Sequence, residues 1–428
     1  MRISHLLRCS AAASLIAACA AAAEFETPPT LRASDVLEPV LLAGPHFTVD
    51  DAVRNGGYLN HFVVHSDYGD FEATGRAMLG IRLKEVAALA RISEISKTDV
   101  FIRAAKDATV GVVLEPVKAA RGITDDPIGT VTRLPRGIGR LFSSYAAQGK
   151  QAAESVSTAA GNIGDSHSGS ETLNDLSDTS RGAVKSVLSV SSAERRWAKQ
   201  LGTDPYSTNA VLREAIENIA WFDRIGGLAP GLAGVPSIPG ASHLVRAHEI
   251  AWEDPRDVRA RNKERLLAME IPAATIERFL EKSALTPSQQ LDLLSSLDAL
   301  DGVPGREALI EQAIDKKSEA EIWFHLDSVR LLTTIHHAGP GISEILTGPK
   351  LTLALSTDNR LIAALGVDHL VWTEAVDRIA RQYTEYLAAR PGCSAEIWLK
   401  GTVSLRAREE LAAIGWQVLE QATGAPAG

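Results

Sequence analysis

Residues 351–365 read LTLALSTDNRLIAAL, and the fold of the chain turns on how they are read. Leu351-Thr-Leu-Ala-Leu355 alternates, Arg360–Leu365 is a second short β-prone run, and Ser356-Thr-Asp-Asn359 supplies the turn between them. Beyond this hairpin the period changes. Thr373–Arg390 has helical spacing, Ala395–Leu399 is a strand, Ser404–Ile414 is a helix opened by Ser404 and ended by Gly415, and Trp416–Glu420 is a last strand. Strand, helix, strand at these lengths implies a right-handed parallel crossover, so a small α/β unit is expected over 345–428. No strand leads into GxGxxG or a Walker loop, and no nucleotide site is indicated.

Upstream, helical spacing dominates and a helical domain is expected over 181–340. Its helices are Ala193–Leu201, Asn209–Arg224, Arg256–Ala268, Ala273–Lys282, Pro287–Leu300 and a long one from Arg306 to His337, bent near Ser318. Thr286-Pro-Ser-Gln289 combines a capping Thr, a first-turn Pro and a box-closing Gln. Residues 151–180 are rich in Ser, Gly, Asn and Asp and read as a flexible polar linker. Residues 24–150 form an N-terminal α+β region. There His61-Phe-Val-Val-His65 and Asp70-Phe-Glu-Ala-Thr74 make a hairpin across Ser66-Asp-Tyr-Gly69, followed by a helix from Arg76 to about Ser93 and another from Asp99 to Glu115. Glu24 to Gly44, with Pro28, Pro29 and Pro39, reads as a tether or extended arm. The expected class is mixed and predominantly α, with an N-terminal α+β region, a helical middle domain and a small C-terminal α/β unit.

Residues 1–23, MRISHLLRCSAAASLIAACAAAA, join a positive start at Arg2 and Arg8 to a short apolar run and small residues, the pattern of an export signal. Ile16-Ala17-Ala18-Cys19 resembles the lipobox of bacterial lipoproteins, which implies cleavage before Cys19 and lipid on its thiol. Ordinary cleavage between Ala20 and Ala23 is the alternative. The expected location is the periplasm, with the chain exported and anchored to a membrane by N-terminal lipid. Without Arg2 and Arg8 the chain keeps 42 basic against 53 acidic residues, a net charge of −11, which speaks against nucleic-acid binding. Cys393 is then the only thiol of the mature body, which leaves no intramolecular disulfide.

Residues 127–142, PIGTVTRLPRGIGRLF, invert the local charge of this acidic chain. Arg133, Arg136 and Arg140 stand among Ile138, Leu141, Phe142 and further apolar residues, a basic amphipathic stretch suited to a membrane surface. Packing on the N-terminal region is the competing reading. Gly111 to Phe142 also resembles the Gly/Pro-punctuated C-terminal repeats of chorein-type lipid-transfer proteins, which implies lipid binding or transfer. His61 and His65 share one face of a strand and, with Asp67, Asp70 or Glu72, are candidates for acid–base chemistry in an envelope hydrolase. Two histidines lacking a third fixed ligand specify no metal, and no cofactor is called for. His336-His337 suits the end of a helix, and Asp165-Ser-His-Ser168 lacks the GxSxG frame. The function expected is non-catalytic: binding or structural organisation at the periplasmic membrane surface, with an envelope protein as partner.

Overall fold

The computed structural model of the chain describes residues 25–98, 190–226, 250–346 and 351–422. Thr30–Arg32 (β1), Ala33–Val36 (α1), Pro39–Leu42 (α2), Ala43–Gly44 (β2), Phe47–Val49 (β3) and Ala52–Asn55 (β4) precede the hairpin of Asn60–Ser66 (β5) and Gly69–Thr74 (β6). One edge of β5 pairs antiparallel with β6; its other edge meets β4 at Arg54↔His61 and β3 at Thr48↔His65. β1 extends β4, and β2 extends β3. Alternation sorts the two faces: Phe62, Val64, Phe71 and Ala73 are buried, whereas His61, His65, Asp70 and Glu72 are exposed. Arg76–Ser96 (α3) lies on the apolar face.

The middle helices are Ser192–Leu201 (α4), Ala210–Gly226 (α5), Pro255–Ala268 (α6), Ala273–Leu280 (α7), Pro287–Asp298 (α8), Glu307–Asp315 (α9) and Glu319–Ala338 (α10). Capping boxes start α4, through Ser191 and Glu194, and α8, through Thr286 and Gln289. Ser318 caps α10, so the expected bend is a break between two helices.

The C-terminal elements are Ile342–Ile345 (β7), Leu353–Ser356 (β8), Arg360–Leu365 (β9), His369–Leu370 (β10), Glu374–Ala388 (α11), Ser394–Leu399 (β11), Thr402–Val403 (β12), Leu405–Ala413 (α12) and Trp416–Leu419 (β13). The main sheet runs β7-β8-β9-β11-β13, antiparallel through β9 and parallel beyond it; β10 and β12 form a separate parallel pair. Leu361, Ala363, Leu365, Ala395 and Ile397 share a core with α11 and α12. Ile362, Ala364 and Trp398 turn the other way, into the core that holds α10, the middle helices and the N-terminal sheet. At Gly366 the strand end touches α10 closely enough that a Cβ would stand 2.6 Å from Cβ of Asp327.

The predominantly α expectation is corrected by these sheets. About 51% of the described residues are helical and 19% are strand, in three sheets. Four of the missed strands are two to four residues long and lie in 30–55, too short to show a period of their own. The expected arm over 24–44 is also folded where it is described. Glu26 N donates to Trp372 O at 2.8 Å, and its carboxylate accepts from Trp372 N at 2.8 Å and Ser404 Oγ at 2.5 Å. The expectations at 1–23, including Cys19, at 127–142 and at 151–180 lie outside the described residues.

Candidate functional site

Small side chains open a space between the main sheet and α11. Ala363 on the floor and Ala380 on the wall leave a groove of about 900 Å³ between the sheet, α11 and α9. Interiors are otherwise packed to crystal density, so a void of this size has a shape imposed by its walls. Thr373 fixes the start of α11 by accepting from Val376 N at 3.3 Å. Along its length only Ala380 and Tyr383 are buried, and Ile379 is 39% exposed, so the helix stands off the sheet.

The floor and the α11 wall are apolar, through Leu365, Leu370, Ile397, Ile379 and Trp416. Two polar groups of the groove are already engaged with Leu351: Tyr383 Oη of α11 accepts from its N at 2.6 Å, and Gln312 Nε2 of α9 donates to its O at 3.2 Å. Tyr58 stands edge-on to Phe324, with ring centroids 5.3 Å apart. Burial raises its phenol pKa, and the charge of Glu321 adds to the shift.

The α9 wall is different. Glu307, Glu311 and Asp315 recur every four residues on the face lining the groove, and Glu321 continues the acidic rim at the start of α10. Glu311 is held by Arg278 at 2.9 and 2.8 Å, and Thr275 Oγ1 lies 2.9 Å from a carboxylate oxygen of each of Glu307 and Glu311, with one proton to donate to one of them. Among the described residues Glu307, Asp315 and Glu321 have no ion-pair partner. Lys316 and Lys317 are the cations of this rim. The groove therefore has an apolar floor, one apolar wall and one acidic wall.

A second, smaller pocket of about 120 Å³ lies among α3, α8 and α10, and several polar and charged residues line it. Glu85, 2% exposed, accepts from Arg82 at 2.8 Å, Asn209 at 3.0 Å and Ser207 Oγ. Burial pushes the pKa of Asp204 up to about 6 against the opposing hydrogen bonds from Tyr206 N and Ser288 Oγ. The serine hydroxyls donate to carboxylates that are themselves tied to other elements. This arrangement fastens α3, α5 and α8 together.

His61 and His65 stand on the exposed face of β5, about 13 Å apart by strand geometry. His61 Nδ1 meets Thr74 Oγ1 at 3.1 Å, whereas His65 pairs with Asp70 at 3.0 Å and Asp50 at 3.7 Å. The hydrogen bond to Asp70 raises the His65 pKa despite some opposing desolvation. The fold thus gives the two rings separate partners on an open surface. Among the described residues no group of three His, Cys, Asp or Glu side chains could hold a metal. His336 Nδ1 accepts from Ile342 N at 3.1 Å beyond the end of α10, and Cys393 is a free thiol donating to Asn359 at 3.1 Å. Cys19, Arg133, Arg136, Ile138, Arg140, Leu141 and Phe142 lie outside the described residues. Among the described residues no helix is long and apolar enough to cross a membrane.

Sequence reasoning missed the groove, although the four-residue spacing of Glu307, Glu311 and Asp315 beside apolar Leu309 and Ile310 was its visible trace. The chain matches no protein-family model, no curated protein and no solved structure, and the site is therefore read from its geometry.

Proposed function

We propose that this chain is an exported envelope protein, anchored through lipid on Cys19, whose body binds a protein partner in the groove between the main sheet and α11 and catalyses no reaction. The observation that carries the reading is the groove of about 900 Å³ with its apolar floor and one acidic wall, at the upper end of the size range of small-ligand pockets. The basic stretch at Arg133, Arg136 and Arg140, with Ile138, Leu141 and Phe142, would hold the body against an anionic membrane surface. The apolar floor also favours a second reading, in which the groove holds a lipid acyl chain.

A photo-crosslinking residue in place of Ile379, in intact cells, tests the binding site. The expected result is one principal protein adduct, absent when the crosslinker replaces Leu405, which is 73% exposed on α12, and lost when Ala363→Trp fills the floor. Equal labelling from both positions would overturn the reading, and an adduct extractable as lipid would move it to the second one. In the same cells a palmitate analogue labels the wild-type chain and not Cys19→Ala; unchanged labelling of that variant removes the anchor.

A further inference from the structure

Of the five large apolar side chains left exposed among the described residues, two, Tyr58 and Ile379, line this one groove. Opposite Ile379 stands the acidic wall. Glu307 to Asp315 spans about 12 Å of helix, with a carboxylate at each step of about 6 Å. A helix lying alongside presents its own rows of side chains at the same four-residue interval, so basic residues in such a row would meet these carboxylates in register. With Glu311 neutralised by Arg278, the carboxylates of Glu307, Asp315 and Glu321 outnumber Lys316 and Lys317 among the described rim residues, and this net negative charge disfavours an anionic headgroup. An acyl chain on the floor would leave the acidic wall without a complement.

We infer that the groove receives a basic amphipathic helix of a partner protein, with its apolar face on the sheet floor and α11 and its cations along Glu307, Asp315 and Glu321. This rests on the groove being a binding site at all. The mode is helix-in-groove recognition, with anchors spaced by the helical repeat. Glu311 takes little part, because Arg278 already occupies both its oxygens.

The test uses the full mature chain and a labelled amphipathic peptide of about 18 residues with lysines at a four-residue spacing beside a leucine face, set against the same peptide with glutamates in place of the lysines. An uncharged, environment-sensitive apolar dye reports on the groove itself, and Ile379→Glu should abolish its binding. The expected result is that the lysine peptide binds at least about tenfold tighter than the glutamate peptide by fluorescence anisotropy, and that Glu307→Lys with Asp315→Lys reverses the order. Equal binding of the two peptides overturns the inference. If the dye binds and neither peptide does, the partner chemistry is wrong while the groove stands; if the dye fails as well, the groove reading itself falls. Displacement of the dye by a fatty acid, with no peptide bound, assigns the groove to lipid. Peptide binding that appears only after Arg133, Arg136 and Arg140 are changed to Glu gives the groove to the chain's own 127–142 stretch, which also overturns the partner assignment.

Discussion

His325 is 3% exposed, and its Nε2–H donates to Leu309 O at 2.8 Å, locking α9 against α10 behind the acidic wall. Burial lowers its pKa to about 3, and Lys316 adds to the shift. Because the folded value lies below the unfolded one near 6.5, His325 contributes stability above pH 6.5 that is lost as the pH falls toward 3, on the order of 3–5 kcal/mol in full. Asp368 acts in the opposite sense. Burial raises its pKa to about 6 while it accepts from Asn60 N at 2.9 Å and Arg76 N at 3.2 Å, supplying from the C-terminal unit the cap that α3 lacks. Its contribution is full below pH 4 and is lost as the pH rises through 6. In urea unfolding from pH 4 to 8, His325→Gln should therefore soften the acid limb, and Asp368→Asn should flatten the decline between pH 4 and 6. An unchanged acid limb in His325→Gln would show that the ring is not held neutral. The pairing behind Asp368 was hidden in the sequence, since it joins residues some three hundred positions apart, whereas Ser404 and Thr286 announced their caps by local spacing.

α11 and α12 cover the same face of the main sheet unequally. Leu411 of α12 is 1% exposed, whereas Ile379 of α11 is 39% exposed. Leu411→Ala should cost about 2–4 kcal/mol, the price of a cavity beneath a packed helix, and Ile379→Ala less than about 1 kcal/mol. Denaturant midpoints measure both; a large loss in Ile379→Ala would mean that α11 is packed on the sheet and the groove is closed. The helices were legible because each repeats its apolar residues over several turns: 255–268 and 273–280 fall within two residues of expectation. The hairpin of β5 and β6 and the strands around Ser356–Asn359 were legible through their turns. β1 to β4 were not, because two to four residues cannot display alternation and their partners are set by the tertiary fold.

Across the molecule one hydrophobic core joins Phe62 and Val64 of the first sheet, Leu79 and Leu83 of α3, Val329 and Leu332 of α10, and Ile362 and Trp398 of the main sheet. A chain ended at residue 340 therefore loses the cover over α10. It should show no sharp thermal transition, while the full chain unfolds with the two sheets losing structure together in hydrogen exchange. A truncated chain with a cooperative transition of its own would overturn this coupling. The acidic groove was illegible for the same reason of scale, since its walls come from 307–321 and 374–388 and meet only after the main sheet has formed.

The docking of Glu26 on Trp372 and Ser404 sets a swing radius. With lipid on Cys19, only the peptide from Cys19 to Phe25 separates the bilayer from the folded body, a reach of about 20 Å at full stretch. On the proposed anchoring, the body could neither move far from the lipid nor turn freely. The α/β unit would travel at nearly fixed height above the lipid, and anything it recruits would have to present itself within one molecular diameter of the membrane plane.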